Sequence, residues 1–196
     1  KNVIQVLKRP EWALKTLING QPSFEVLKPY MPKSLNLKQL AKFMDSTFSG
    51  RLNEEKIKKL RDGWKGKLVI KGTESIHDIE KAYKLGVDGV IISNHGGRQV
   101  DVGQATVDSL KTIAPIYKGK LKIMMDSGIR GGADVARVLG VGADFTFLGR
   151  SFMYGVSALG SKGGTHTISV IKKQLKQIME QLGCSKIEDF VDTRIY

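Results

Sequence analysis

Cysteine is almost missing from this sequence: Cys184 stands alone among 196 residues. An intrachain disulfide framework is therefore excluded, and a reducing, cytoplasmic setting fits best. Cys184 follows Gly183 and has no partner at metal-ligand spacing, so it reads as a small, inert residue. Long apolar runs are missing too. No stretch of about 18 apolar residues exists, so nothing in the chain spans a bilayer. The opening residues Lys1-Asn2-Val3-Ile4-Gln5-Val6 lack a signal-peptide core. There is no initiator methionine, which predicts a natural start upstream. Acidic residues are scarce, with 19 Asp and Glu against 32 Lys and Arg, a formal net charge of +13. The lysines are scattered over helical segments such as Lys56-Ile57-Lys58-Lys59 and Lys172-Lys173. Neither a dense basic run nor interleaved aromatics is present, which argues against nucleic acid. The charge still favours anionic substrates, or peripheral contact with an anionic membrane surface on the cytoplasmic side.

What is present suits one α/β domain. The length is not comfortably enough for a complete eight-stranded barrel, which typically needs about 250 residues. Residues 1–50 read as a long connection with short helices. Glu11-Trp12-Ala13-Leu14-Lys15-Thr16-Leu17-Ile18 is amphipathic, with Pro10 at its start and Gly20 past its end. Pro22, Pro29 and Pro32 interrupt the next segment, and a second helical patch covers Leu37 to Phe43. Residues 51–196 show a repeating rhythm. Asn53 caps a helix through Leu60, and Lys67-Leu68-Val69-Ile70-Lys71 is a buried parallel strand. Ser75 caps Ile76–Leu85, and Gly89-Val90-Ile91-Ile92 is the second strand. Val107–Ala114 is helical and closes at Pro115. Leu121-Lys122-Ile123-Met124-Met125 is the third strand, with a helix near Asp134–Leu139. Phe145-Thr146-Phe147-Leu148 is the fourth, and helices come after it at Phe152–Leu159 and Ile168–Leu182. Four strand-plus-helix units imply a parallel sheet with crossover helices. Half of a (β/α)8 barrel and a small doubly wound sheet both satisfy that pattern.

In such folds function gathers beyond the carboxyl ends of the strands, and the unusual residues fall there. Lys71 ends the first strand, where its ammonium points into the barrel mouth or merely snorkels to solvent. Ser93-Asn94-His95-Gly96-Gly97-Arg98-Gln99-Val100-Asp101 follows the second. Asp126-Ser127-Gly128-Ile129-Arg130-Gly131-Gly132 follows the third, and Gly149-Arg150 the fourth. Gly128 and Gly149 each precede a helix, whose free N–H groups suit an anion, and Arg130 and Arg150 add charge-assisted bonds. Two such pairs on consecutive loops point to a phosphate. A dinucleotide fingerprint fits poorly, because Gly140-Val141-Gly142 precedes its strand. His95 can exchange a proton near neutral pH, and Arg98 offers a fork matching a carboxylate. Asp126 is placed to hold the imidazole. His77 and His166 have no such company, and no spaced ligand set accompanies His95, so a metal is not expected.

The segment Ser93-Asn94-His95-Gly96-Gly97-Arg98-Gln99 closely resembles the signature of the FMN-dependent 2-hydroxy-acid oxidases and dehydrogenases. Val69-Ile70-Lys71-Gly72, Asp126-Ser127-Gly128-Ile129-Arg130 and Leu148-Gly149-Arg150 match in order and spacing. With Arg9-Pro10-Glu11-Trp12 upstream, the wording is most similar to bacterial respiratory L-lactate dehydrogenases. The resemblance implies a TIM barrel, FMN as cofactor and oxidation of a small L-2-hydroxy acid to the 2-oxo acid. It implies His95 as the base with Asp126 as its partner, and Arg98 on the substrate carboxylate. Lys71 would lie by the flavin N1/O2 edge, Ser93 would contact the flavin, and Gly128, Arg130, Gly149 and Arg150 would hold the phosphate.

One departure is large: the first four strands of the family barrel have no counterpart. The expectation is a C-terminal half-barrel, a fragment that is inactive alone and binds FMN weakly. Its partner would be the N-terminal half of the same barrel, in a homo-oligomer when whole. The rival reading is a non-catalytic phosphate- or flavin-binding half-barrel acting as a structural partner.

Overall fold

A computed structural model of the chain describes residues 2–20, 24–32, 35–47 and 52–193. It divides into two compact units, Lys1–Arg51 and Leu52–Tyr196. Among the described residues of the first unit are α1 (Asn2–Leu7), α2 (Pro10–Asn19) and α3 (Leu37–Thr47). Pro10 opens α2, and Gly20 closes it with φ 70°, as the punctuation predicts. Pro29 lies inside a short 3-10 turn, Glu25–Tyr30, and Pro22 falls outside the described residues.

The second unit carries α4 (Glu54–Gly63), β1 (Val69–Thr73), α5 (Ile76–Lys84), β2 (Gly89–Ile92) and α6 (Thr106–Tyr117). It continues with β3 (Lys122–Met125), α7 (Gly132–Val141), β4 (Phe145–Thr146), α8 (Arg150–Leu159) and α9 (Gly163–Leu182). All strand pairs are parallel, in the order β1-β2-β3-β4. A doubly wound sheet reverses its strand order at a switch point. The unbroken order here is that of a barrel segment.

Side chains alternate across the sheet. Val90, Ile92, Ile123 and Met125 face the helices and pack with Ile79, Leu110 and Ile113 into a core at most 2% exposed. Phe190, in a 3-10 turn at Ile187–Asp192, joins that core fully buried. The opposite face is covered less. Lys71, Ile91, Met124 and Phe145 share one register row there, and Phe145 is 56% exposed.

Several element boundaries differ from those read in the sequence. Lys67 and Leu68 precede the first strand because the Asp88 carboxylate holds them. It accepts from Lys67 Nζ at 2.8 Å and Leu68 N at 2.9 Å. The strand then runs past Lys71 through a register shift to Thr73. Helix α6 does not close at Pro115 but continues to Tyr117. The proline costs one bond in the last turn, where the buried Ile113, Ala114 and Tyr117 anchor the helix. Ser75 precedes α5 without a side-chain cap, whereas Asn53 caps α4 by accepting from Lys56 N at 3.0 Å. Helix α9 starts at Gly163 because α8 crosses it there. A Cβ on Gly163 would collide with the Gly155 carbonyl.

An aspartate before the strand ties each of two units together. Asp88 N donates to Leu68 O at 2.8 Å while its carboxylate takes Leu68 N. Asp144 repeats this with Ile123, at 2.7 and 2.8 Å. Hydrogen bonds from Lys67 and from Leu68 N lower the Asp88 pKa from 3.8 to about 2. A carboxyl depressed in the folded state stabilises fully above its unfolded value and loses that contribution as pH falls through the folded one. Stability should therefore hold down to about pH 4 and fall towards pH 2. Urea unfolding across that range checks this, and Asp88→Asn should flatten the component.

Candidate functional site

The loop after β2 is built by its own asparagine. Asn94 Oδ1 accepts from Gly96 N at 3.0 Å and Gly97 N at 3.2 Å, an Asx turn. His95, Gly96 and Gly97 all take left-handed conformations, with φ of 55°, 71° and 75°. For His95 this costs about 1 kcal/mol. The imidazole lies over Gly72 of β1, where a Cβ would meet its Cε1 at 2.6 Å. Gly72 itself has φ 93°, so both backbone and space require glycine there.

Three strand ends are joined by one circuit of hydrogen bonds. Lys71 Nζ from β1 is ion-paired with Asp126 Oδ2 beyond β3 and donates to Ser93 Oγ beyond β2 at 2.8 Å. Ser93, 1% exposed, also accepts from His95 N at 3.1 Å. Asp126 Oδ1 accepts from Ser127 Oγ at 2.9 Å. Ser127 Oγ in turn accepts from Gly96 N at 3.2 Å, which closes the circuit. Burial pushes the Asp126 carboxyl up. The bonds from Lys71, Ser93 and Ser127 and the Lys71 charge outweigh it, leaving the group below its ordinary 3.8.

Asp126 lines the same cavity as the imidazole but makes no hydrogen bond to it among the described residues. Among the described residues the His95 ring makes no hydrogen bond, and the carboxylate serves Lys71 and Ser127 instead. Lys71 lies within its strand, not at its end, and neither snorkels nor stands free.

A cavity of about 550 Å³ opens over these strand ends. Lys71, His95, Arg98, Asp126, Gly128, Arg130, Gly149 and Arg150 all line it. Every residue singled out from the sequence is therefore at its wall except Ser93, which sits behind Lys71. Among the described residues no carboxylate pairs with Arg98, Arg130 or Arg150, and Asp126 is the only acid at the wall. The loop after β2 and the start of α8 meet at the cavity, since a Cβ on Gly96 would lie 3.4 Å from Arg150 Nη2.

Of the two helix starts expected to offer N–H groups, that of α7 is largely occupied and that of α8 is open. At α7, Asp134 Oδ2 accepts from Arg130 N at 2.9 Å and Gly131 N at 3.2 Å. Gln174 Oε1 takes Gly132 N at 2.8 Å. At α8, the first amides, from Gly149 to Ser151, have no partner among the described residues. Added Cβ atoms on Gly128 and Gly149 would meet nothing within 4 Å, so both border open space. The cavity can thus receive an anion beside a proton-exchanging group and a carboxylate-binding fork. Among the described residues no group of three or more His, Cys, Asp or Glu could hold a metal.

Sequence reasoning missed the turn-forming Asn94 and the bridging Ser127. An asparagine before consecutive glycines was a usable sign of the first. No local signal marks the second, whose partners lie on another loop. His77 and His166 are exposed, away from the cavity.

Residues 1–196 match the sequence pattern of the FMN-dependent dehydrogenase family. The L-lactate dehydrogenase of Vibrio parahaemolyticus is 36% identical over 190 residues, covering 96% of this chain and 50% of that protein. The chain thus spans about half the length of the curated relatives it matches. The crystal structure of the monotopic membrane protein (S)-mandelate dehydrogenase superposes with a TM-score of 0.86 at 30% identity. It covers 96% of this chain and 49% of its own. A mutant flavocytochrome b2 with benzoylformate gives a TM-score of 0.67 at 35% identity, covering 71% of this chain and 37% of its own.

Proposed function

Because the chain belongs to the FMN-dependent dehydrogenase family, we propose that its cavity is part of an active site oxidising an L-2-hydroxy acid, foremost L-lactate, to the 2-oxo acid. The observation that carries this is the single cavity lined by His95, Lys71 and three guanidiniums without carboxylate partners. A wall so cationic is built for an anionic ligand.

The residues fit FMN. Arg130, Arg150, the open amides at the start of α8 and the room at Gly128 and Gly149 suit its phosphate. Ser93 acts through Lys71, which Asp126 holds at the cavity wall. When bound, FMN supplies the two-electron acceptor that the reaction needs. Arg98 binds and orients the substrate carboxylate through its planar fork. His95 Nε2 or Nδ1 receives a substrate proton, and the left-handed turn at 95–97 fixes where the ring stands. Lys71 places positive charge where negative charge develops. Asp126 keeps that ammonium in place and so acts through it.

The half-length match, the open register row on the sheet and its two free edges support a partner. We assign that role to the N-terminal half of the same barrel, in a protein that is a homo-oligomer when whole. Residues 1–50 then form a connecting region and 51–196 a C-terminal half-barrel.

Peripheral contact with the cytoplasmic face of a membrane is the remaining part of the reading. Leu14, Leu17 and Ile18 share one face of α2 and are 60%, 80% and 73% exposed. Glu11 and Lys15 pair along the border of that face. Residues 1–51 hold nine Lys or Arg against three Asp or Glu. The monotopic enzyme covers 96% of the chain, whereas the flavocytochrome covers 71%, close to the share of Leu52–Tyr196.

Two experiments test this. In an FMN-loaded assembly of this chain with the N-terminal half, His95→Gln should lower flavin reduction by L-lactate about 10²–10⁴-fold with FMN retained. The isolated chain should show no reduction. Unchanged activity in the variant would eliminate His95 as base and leave a phosphate- or flavin-binding structural role. In co-sedimentation, the assembly should bind phosphatidylglycerol vesicles over phosphatidylcholine ones. Leu17→Asp with Ile18→Asp should weaken that by about tenfold. Equal binding of both vesicles, or of both proteins, would contradict the membrane contact.

A further inference from the structure

We infer that Ser127 is a positioning residue for the candidate active site, its hydroxyl tying the His95 loop to the Lys71–Asp126 pair. The inference rests on the reading of the cavity proposed above. Ser127 has φ 72°, a conformation that glycine adopts freely and other residues take at a cost. A serine kept in that conformation points to a use for its side chain.

Both capacities of the hydroxyl are engaged. It donates to Asp126 Oδ1 at 2.9 Å and accepts from Gly96 N at 3.2 Å. The first bond acts on the carboxylate that holds Lys71, the second on the residue next to His95. The backbone of Ser127 is pinned from behind. Thr106 Oγ1, at the start of α6, donates to the carbonyls of Asp126 at 3.1 Å and Ser127 at 3.4 Å. Thr106 is only 3% exposed, so the anchor lies in the body of the fold.

The His95 ring depends on this hydroxyl because it has little else to hold it. With no hydrogen bond of its own among the described residues, the imidazole stands where the backbone at 95–97 puts it. Two side chains hold Gly96 N in that turn: Asn94 through Oδ1 from within it, and Ser127 through Oγ from beyond β3. Removing the hydroxyl leaves only the first. It also takes one donor from Asp126, so the cation at 71 and the base at 95 are disturbed together.

Ser127→Gly is the informative variant, because glycine accepts the backbone conformation and lacks the hydroxyl-bearing side chain. Ser127→Ala, which keeps the backbone cost, is the companion. In the FMN-loaded assembly, amide exchange at Gly96 should rise severalfold while buried core amides such as Ile123 keep their rates. With L-lactate, kcat should fall by about tenfold, the loss expected for one bond to a charged group, with KM little changed. The acidic limb of the kcat profile should move to higher pH, because a carboxylate with fewer donors takes its proton earlier. Unchanged exchange at Gly96 overturns the inference, as does a parental kcat and pH profile. Uniformly faster exchange overturns it too, since the hydroxyl would then serve only stability. Should the unsubstituted assembly oxidise no 2-hydroxy acid, the functional reading fails, and Gly96 exchange alone decides the role of Ser127.

Discussion

Lys71 lies within β1, Ser93 and Asp126 follow β2 and β3, and the ion pair between the lysine and the aspartate sets these three strands against one another. A parallel strand exit is otherwise free to wander, because its loop runs on to a helix packed behind the sheet. Here the ammonium reaches across β2 from β1 to β3, over the hydroxyl of a buried serine. From Asp126 the chain of bonds passes through Ser127 to Gly96 and back through His95 to Ser93. The position of the imidazole is thus a property of three strands at once, not of its own loop.

The same pair governs the charge of the cavity. Arg98, Arg130 and Arg150 converge there with no carboxylate partner among the described residues, which is unfavourable until an anion arrives. Among the described residues Asp126 is the one acid at the wall, and Lys71 already occupies it. Anion affinity is therefore left to the arginines and to the open amides of α8, while the lysine is held in register for the chemistry. At the start of α7 the amides of residues 130–132 are instead taken by Asp134 and Gln174.

Much of this was readable in the linear sequence. The four apolar runs locate the strands to within a few residues, although only β2 and β3 are largely buried and β1 and β4 are mostly exposed. The glycine-rich exits with His95, Arg98, Arg130 and Arg150 stand out because such residues are unusual there, and all four line the cavity. What escaped depends on long-range pairing. The first strand starts at Val69 because Asp88, far along the chain, claims Leu68. Asp126 pairs with Lys71, a partner 55 residues away in sequence that no local pattern marks. Pro115 stays helical because buried neighbours hold the last turn of α6.

The most direct test of the central claim removes the carboxylate and watches the other strand ends. In heteronuclear NMR spectra, Asp126→Ala should displace the amide resonances of His95 and Gly96 and the side-chain signals of Lys71, while the core around Ile79 and Leu110 stays in place. Changes confined to residues adjoining 126 would show that the strand ends are held independently, and would contradict the account.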